Sequence, residues 1–391
     1  MKSYKYLIIG GGMTAASAVT GIREVDSTGS IGLISSEVDA PYNRPPLSKK
    51  LWKGKSLSTI WRNNRGKKPE FHFGRVVKVI YPELKRIVDD EGQFFSYKVL
   101  LLATGGRPRQ LPFDDGQIIY FRTLADYRRL RGLAKGGRRF AVIGGGFIGS
   151  EIAAALTMNG KKVTMIFPGK NIGDRIFPRG LSRFVSGFYK RKGVEVLAGQ
   201  KVSDLTTRDD QLVLKSRGRR EIIVDGVVAG VGIVPNVELA RKAKLKVENG
   251  IVVDEFLRTS HPNIYAAGDV VAFYNPALAK RIRVEHEDNA NTMGRMAGRN
   301  MAGKSERYDH LPFFYSDMFE LGYEAVGELD ARSETFADWK RPNKEGVIYY
   351  LKKGRVRGVL LWNVWNQVDA ARELIAAPGP FTRINLKGRL K

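Results

Sequence analysis

The chain has 391 residues, of which 43% are hydrophobic, so roughly two or three domains with buried cores are expected. It contains no cysteine, which excludes mechanisms that need a thiolate, such as dithiol disulfide reductases and peroxidases that form a sulfenic acid. Lysine and arginine number 66 against 40 acidic residues, and a net charge of +26 attracts acidic proteins, nucleic acid or anionic lipid headgroups.

The first predicted element is a buried strand at residues 6–9, followed by a glycine turn and a helix. Lysines before an apolar stretch also occur in secretory signals, but the glycines inside this stretch favour a phosphate-binding turn. No apolar run reaches the ~18 residues that a membrane helix needs. We therefore expect a cytoplasmic protein without a transmembrane segment.

The small residues of this turn have predicted roles in binding a dinucleotide. Gly10 makes the turn, Gly12 lets the backbone approach a pyrophosphate, and Ala15 packs the helix on the strand. Amides at the helix N-terminus then face the phosphates. Glu37 follows the next apolar strand, residues 31–34, and is predicted to bind a ribose hydroxyl; the alternative is a solvated loop carboxylate.

The next buried strand, residues 99–102, ends in small residues that suit close passage by a cofactor: Ala103, Thr104 and Gly105. A basic cluster follows, made of Arg128, Arg129, Arg131, Lys135, Arg138 and Arg139. It is a candidate site for an acidic partner. Because the charge is spread over many segments, adaptation to an unusual habitat stays open as the alternative.

A second copy of strand, glycine turn and helix begins 134 residues after the first, counted from Gly10 to Gly144. One glycine triplet is weak evidence, because it can be only a tight turn, but two in matching context are much stronger. The residues of the second copy assigned to nucleotide binding are Gly144, Gly146, Ile148, Gly149 and Glu151.

The strand after this helix, residues 163–166, leads to a position that usually carries an acid in NADH-specific sites. Gly169 stands there and no acid appears, so the element that repels a 2′-phosphate is missing. Lys170 could pair with that phosphate or be plain surface charge. We expect NADPH to be accepted at least comparably with NADH.

Three further segments complete the chain. Residues 227–235 are predicted to form one apolar strand that runs through Gly232. Residues 264–267 repeat the buried strand with small residues, ending in Gly268 and Asp269, whose carboxylate is placed to hold a polyol hydroxyl. The runs 346–351 and 357–362 indicate a hairpin and 366–376 a helix, so the C-terminus is predicted to be a small α+β domain.

Several motifs carry a family resemblance that covers essentially the whole chain. They are Pro41–Lys49, Gly145–Glu151, Arg283–Asp288, Phe314–Asp317 and Gly322–Gly327. These residues resemble the pyridine nucleotide-disulfide oxidoreductase superfamily, and within it the ferredoxin-reductase-like and apoptosis-inducing-factor-like branch. The long acidic and proline-rich insertion of the animal proteins is missing and no mitochondrial presequence is expected, so an apoptotic role is not carried over.

The resemblance implies an α/β fold with two Rossmann-like domains, the second inserted in the first, and a C-terminal α+β domain. FAD would bind residues 1–108 and 236–312, and NADH or NADPH residues 109–235, with 313–391 as the last domain. Arg44 and Lys49 would contact FAD, Val77 would offer backbone to the adenine, and Asp269 would bind the ribitol. Further cofactor-binding residues implied by the motifs are Gly232, at the nicotinamide, and Glu285, His286, Glu287 and Tyr315.

The helix beginning near His286 would point its positive end at the flavin pyrimidine. For Tyr315, a buried core tyrosine is the competing interpretation. The family pattern also brings Lys49 and Glu151 together beside the flavin N5, although 102 residues separate them, and these two are the catalytic candidates. An ordinary surface ion pair is the alternative.

The expected function is hydride transfer from NAD(P)H to FAD, followed by electron transfer to an acidic ferredoxin or rubredoxin. A second hypothesis is a redox-sensing binding protein with slow turnover that contacts nucleic acid. A quinone reductase at a membrane surface would need an exposed amphipathic element, and none is convincing. A homodimer is left open.

Overall fold

The computed structural model describes residues 1–62, 66–216 and 221–390. The chain forms two compact units, each built from segments that are distant in the sequence. Unit 1 comprises Met1–Asn43, Leu57–Arg107 and Val234–Pro312, and unit 2 comprises Arg44–Ser56, Pro108–Ile233 and Phe313–Lys391.

The α-helices of the described residues are, in chain order, α1 (Met13–Val25), α2 (Leu124–Gly136), α3 (Phe147–Met158), α4 (Arg179–Arg191), α5 (Glu238–Lys242), α6 (Glu287–Met301), α7 (Val368–Ala376) and α8 (Arg383–Leu386). Short 3-10 helices span Pro45–Ser48, Lys50–Lys53 and Leu57–Ile60. Within the described ranges, none of the helices combines the length and the apolar character that crossing a membrane requires.

Among the described residues, the strands of the first part of the chain are β1 (Lys2–Ile9), β2 (Ile31–Ser35), β3 (Glu70–Phe73), β4 (Val77–Tyr81), β5 (Arg86–Asp89), β6 (Phe94–Leu102), β7 (Gly106–Pro108), β8 (Ile119–Tyr120), β9 (Arg139–Ile143) and β10 (Lys162–Phe167). Those that follow are β11 (Glu195–Ala198), β12 (Val202–Arg208), β13 (Gln211–Ser216), β14 (Glu221–Val224), β15 (Gly226–Ala229), β16 (Ile233–Pro235), β17 (Val247–Glu248), β18 (Gly250–Val252), β19 (Ile264–Ala266), β20 (Val271–Asn275), β21 (Lys280–Ile282), β22 (Phe313–Met318), β23 (Leu321–Gly327), β24 (Glu334–Arg341), β25 (Glu345–Lys352) and β26 (Arg355–Trp362).

Unit 1 is built on a sheet in the order β3-β2-β1-β6-β5-β4, with β19 paired to β6. β1 runs parallel to β2 and β6, and β19 runs parallel to β6, so the carboxyl ends of these four strands meet at one edge. α1 and α6 pack tightly, because a Cβ at Gly298 would lie 2.1 Å from the Ala18 carbonyl oxygen. This edge is where such folds bind nucleotides.

Unit 2 contains a parallel sheet in the order β11-β10-β9-β15-β8 and an antiparallel sheet in the order β22-β23-β26-β25-β24. α3 contacts β9 and β10 of the parallel sheet and β22 of the antiparallel one. It also contacts the 3-10 helices Pro45–Ser48 and Lys50–Lys53. Side chains from three distant parts of the sequence therefore meet on α3.

The structure confirms the predicted fold class, because it contains parallel sheets. It also contains two copies of the predicted repeat, in which a strand is followed by a glycine turn and a helix. The C-terminal hairpin is also confirmed, because β25 and β26 pair antiparallel. The prediction of one strand over 227–235 is wrong, since the chain forms β15 and β16 instead. Gly232 lies between them at φ +93°, which an extended strand does not allow, and a Cβ at Gly230 would lie 2.8 Å from the Gly149 nitrogen.

Candidate functional site

The first glycine turn joins β1 to α1 in unit 1. Gly10 has φ +124°, and a Cβ there would lie 2.2 Å from the Ala103 carbonyl oxygen, so only glycine fits. Gly12 is the N-cap of α1 and has no side-chain cap, and among the described residues no atom other than those of its two chain neighbours lies within 4 Å of where its Cβ would be. Ala15 is fully buried. The helix N-terminus thus faces an open cradle that fits a pyrophosphate.

Two predicted carboxylate residues lie at the same edge of the sheet. Glu37 follows β2 and accepts the Tyr42 hydroxyl at 2.6 Å. Gly268 follows β19 and packs against the first turn of α1, because a Cβ there would lie 2.3 Å from the Thr14 Oγ1. Asp269 is therefore held beside the turn. Its contact with the ribitol, like the contact of Glu37 with ribose, stays a prediction.

The end of β6 is fixed by two hydrogen bonds from side chains to backbone carbonyls. The Thr104 hydroxyl donates to the Asn236 carbonyl at 2.9 Å, and the Asn236 side-chain amide donates to the Thr104 carbonyl at 2.8 Å. Ala103 is buried, and so is Val77 at the start of β4. The small residues continue through Gly105 at the carboxyl edge of the sheet.

α6 begins at Glu287, so the predicted helix start near His286 is confirmed. His286 is the N-cap, with extended backbone and no side-chain cap. Glu287 and Asp288 in the first turn complement the positive helix end, and Glu285 pairs with Arg283 at 2.6 Å. The contact of His286 with a flavin stays a prediction.

The second glycine turn, in unit 2, repeats the geometry of the first. A Cβ at Gly144 would lie 2.4 Å from the Gly230 carbonyl oxygen, and a Cβ at Gly149 would lie 2.1 Å from the Gly144 carbonyl oxygen. Gly146 is the N-cap of α3, again with no described atom within 4 Å of its Cβ position. Ile148 is 36% exposed in the first turn. A second pyrophosphate cradle therefore opens at α3.

Lys49, which lies between two 3-10 helices, forms a buried ion pair with Glu151 of α3. The Lys49 Nζ lies 2.7 Å from the Glu151 Oε1, and the two side chains are 9% and 3% exposed. The Nζ also lies 5.2 Å from the centre of the Tyr315 ring. The alternative of an ordinary surface pair is wrong, because neither side chain is on the surface.

Two serines that the sequence analysis did not single out complete this cluster. Ser48 donates to the Glu151 Oε2 at 2.5 Å, and Ser316 donates to the Oε1 at 2.6 Å. Both serines lie inside the motifs Pro41–Lys49 and Phe314–Asp317, which is the one sequence signal that could have found them. With the lysine they bind both carboxylate oxygens, so the orientation of Glu151 is fixed.

Two buried phenols surround the same carboxylate. Burial, and then the nearby Glu151 charge, raise the pKa of Tyr189 and of Tyr323 well above the ordinary value of a phenol. The Tyr189 hydroxyl donates to the Ser150 carbonyl at 2.9 Å. Both phenols therefore stay neutral and add no negative charge to the site.

The structure brings a carboxylate to the end of β10 that the sequence analysis did not place there. Asp174 accepts the Lys170 amide at 2.7 Å through Oδ2, and this oxygen lies 2.5 Å from where a Cβ of Gly169 would be. Asp174 comes well after the strand in sequence, so the spacing gave no signal for it. The Lys170 side chain is exposed.

The other predicted residues of unit 2 have defined contacts. The Arg44 guanidinium donates to the Arg122 carbonyl at 2.8 Å. Gly232 accepts the Arg109 amide at 2.9 Å through its carbonyl. Their roles toward FAD and nicotinamide stay predictions.

Comparison with known families assigns nearly the whole chain. Residues 4–294 match the family described as pyridine nucleotide-disulphide oxidoreductase. Residues 297–345 and 338–377 match the C-terminal family of apoptosis-inducing factor, mitochondrion-associated.

The chain is similar along its length to proteins of two kinds. It is 35% identical to apoptosis-inducing factor 1 of Dictyostelium discoideum, over 96% of this chain and 79% of that protein. It is 32% identical to the anthranilate 1,2-dioxygenase system ferredoxin–NAD(+) reductase component of Burkholderia cepacia, over 96% and 95%. Among solved structures, the covalent putidaredoxin reductase–putidaredoxin complex matches with a TM-score of 0.90 at 28% identity, over 96% and 94%.

Proposed function

The chain belongs to the pyridine nucleotide-disulphide oxidoreductase family and is an FAD-dependent oxidoreductase that uses NADH or NADPH, and from this premise we propose that it delivers electrons to a small iron–sulfur protein. Bound FAD supplies the chemistry, because it accepts a hydride and releases electrons singly. The observation that carries the proposal is the pair of open glycine cradles, one in each unit, which supports one site for each dinucleotide. The relatives that act on ferredoxin or putidaredoxin support the acceptor.

We assign FAD to the cradle of unit 1 and NADH or NADPH to that of unit 2. Glu37 and Asp269, at the sheet edge of unit 1, offer carboxylates to the hydroxyl groups of FAD. The proposed domains are accordingly 1–108 with 236–312 for FAD, 109–235 for the nicotinamide nucleotide, and 313–391 as the C-terminal domain.

The Lys49–Glu151 pair is assigned to catalysis. A buried ammonium that is already in place stabilises negative charge that develops during hydride transfer, without reorganisation of solvent. Glu151 would hold the ammonium, and the two serines would hold Glu151, so the charge is preorganised. Lys49 is therefore a catalytic residue, while Glu151, Ser48 and Ser316 position it.

The test of this function is electron delivery to a defined acceptor. We expect the purified protein, with one FAD per chain, to catalyse NADH- or NADPH-dependent reduction of a [2Fe–2S] ferredoxin or a rubredoxin. Absorbance of the acceptor gives the rate. A flavin-free protein that cannot be reconstituted with FAD would contradict the assignment.

Salt should slow the association of the protein with its electron acceptor. The basic cluster keeps Arg128, Arg129, Lys135 and Arg138 exposed, whereas the Arg131 guanidinium packs 4.9 Å above the Trp52 ring. Exposed charges steer an acidic acceptor, and screening over about 8 Å at 0.15 M ionic strength weakens that steering. We expect the association rate with an acidic ferredoxin to fall about tenfold or more as salt rises.

Matched variants test whether this effect belongs to the basic cluster. Lys135→Glu with Arg138→Glu should lower the association rate, whereas Lys352→Glu, at an exposed lysine outside the cluster, should change it little. A rate that stays flat with salt would mean that the charge serves another partner. Nucleic acid is one such partner, and its binding should then weaken steeply with salt.

A second function is favoured by one observation, the match of the C-terminal region to the apoptosis-inducing factor family. In that case the chain would be a redox-sensing binding protein whose reduced state persists. Slow reoxidation by every acceptor would support it. The expected cytoplasmic location stays a prediction, and a homodimer stays open.

A further inference from the structure

We propose that Asp174 supplies the carboxylate that binds the adenosine ribose of the nicotinamide nucleotide, and that it makes the chain prefer NADH to NADPH. The inference rests on the proposed binding of that nucleotide at the cradle of unit 2. It reverses the expectation drawn from Gly169 at the strand end.

The ribose position follows from the topology of unit 2. β9 and β10 are parallel neighbours joined by the glycine turn and α3. In this arrangement the pyrophosphate lies at the helix N-terminus and the ribose lies at the end of the second strand. A carboxylate there accepts the ribose hydroxyls and repels a 2′-phosphate. The chain has Gly169 at that strand end.

The Asp174 carboxylate occupies the space that Gly169 leaves. Its Oδ2 and Oδ1 lie 2.5 Å and 2.9 Å from the position of a Cβ at residue 169, so any side chain there would displace it. The Gly173 amide donates to the Gly145 carbonyl at 2.9 Å, which brings this segment against the glycine turn. The carboxylate thus lies between the end of β10 and the turn, where the ribose is expected.

Buried residues on both sides hold the segment in place. The Ile172 amide donates to the Ser186 hydroxyl at 2.9 Å, and the Tyr350 hydroxyl donates to the Ile176 carbonyl at 2.6 Å. The Phe177 ring packs edge-on against Trp362 at 5.4 Å. Because Asp174 is held before the nucleotide arrives, binding orders little of the chain.

Two exposed basic side chains oppose this preference. Lys170 and Arg175 flank the site and could attract a 2′-phosphate. Exposed charges contribute little, whereas a carboxylate fixed by the Lys170 amide stands at the ribose itself. We therefore expect the carboxylate to decide the preference.

The test compares ADP-ribose with 2′-phospho-ADP-ribose, whose binding to the FAD-loaded protein is measured by calorimetry. The unmodified protein should bind ADP-ribose at least about tenfold more tightly. Asp174→Asn keeps an oxygen for the Lys170 amide but removes the charge, and it should reduce this ratio by about 10- to 100-fold. Gly169→Ala, which displaces the carboxylate, should act in the same direction.

The control is Lys170→Ala, which should leave the preference for ADP-ribose in place. An unmodified protein that prefers the 2′-phosphate, or an Asp174→Asn variant with an unchanged ratio, would overturn the inference. These outcomes differ from failure of the proposed function, in which neither fragment binds and neither NADH nor NADPH reduces the flavin.

Discussion

Lys49→Met should slow the reduction of bound FAD by NADH or NADPH by about one to three orders of magnitude, the scale for losing one preorganised charge. The Lys49 ammonium is fixed 2.7 Å from the Glu151 carboxylate and is almost fully buried, so no solvent replaces it when it is removed. The reduction potential of the flavin should fall as well, because the reduced form loses a favourable charge. Anaerobic stopped-flow absorbance measures the rate, and a dye equilibration measures the potential.

The same substitution also affects stability, and the two effects have to be separated. Removing one member of a buried ion pair costs about 3–5 kcal/mol, because the other charge stays buried without its partner. The double variant Lys49→Met with Glu151→Gln removes both charges, so it should recover stability in denaturant unfolding. It should not recover the rate of reduction.

An exposed pair offers the matched control. Lys192 lies 2.8 Å from Glu320, with side chains that are 37% and 58% exposed. Lys192→Met should cost under about 1 kcal/mol and leave reduction unchanged. If the double variant at Lys49 and Glu151 regains the full rate, the pair has a structural role only.

Gly12→Ala and Gly146→Ala should each abolish or weaken the binding of one dinucleotide and spare the other. Both glycines have negative φ and a Cβ position with no described atom within 4 Å, so alanine fits the folded chain. The added methyl group would instead occupy the space where a pyrophosphate approaches the backbone. We expect Gly12→Ala to lower FAD affinity about 10- to 100-fold, and Gly146→Ala to weaken NAD(P)H binding similarly, on the scale of overpacking.

Each of these two variants should change a different measured quantity. Gly12→Ala should be purified with less flavin, whereas Gly146→Ala should keep its flavin and need more NADH for half-maximal reduction. Gly10→Ala is the contrasting variant, because its Cβ would lie 2.2 Å from a carbonyl oxygen, and it should unfold the turn itself. Equal loss of flavin in the Gly12 and Gly146 variants would contradict the assignment of one dinucleotide to each unit.

The two cradles could be predicted from sequence because they depend on local pattern. A buried strand, a glycine at the sharp turn and a small residue at the helix contact lie within a few residues of each other in each copy. Gly232 shows the limit of that approach. An apolar run predicts a strand, but the close approach of the Gly230 backbone to Gly149 interrupts it, and that contact is not local.

The Lys49–Glu151 contact was predicted only through the family resemblance, since no local rule joins residues so far apart. Ser316 donates to Glu151 across 165 residues, and its role depended on how β22 packs against α3. Asp174 was missed because its position depends on a turn that is fixed by Tyr350 and Trp362, residues far along the chain. Spacing after a strand cannot reveal a residue that tertiary packing brings back.

The most direct test of the proposed electron transfer is reoxidation of the protein after reduction with one equivalent of NADH or NADPH. The reduced protein is mixed anaerobically in stopped flow with a [2Fe–2S] ferredoxin, a rubredoxin or a quinone, and separately with dioxygen, while flavin absorbance is followed. We predict that the ferredoxin or the rubredoxin reoxidises the flavin within a single turnover time and faster than quinone or dioxygen does. A reduced protein that persists for minutes against every acceptor would contradict the proposed function and favour a redox-sensing role.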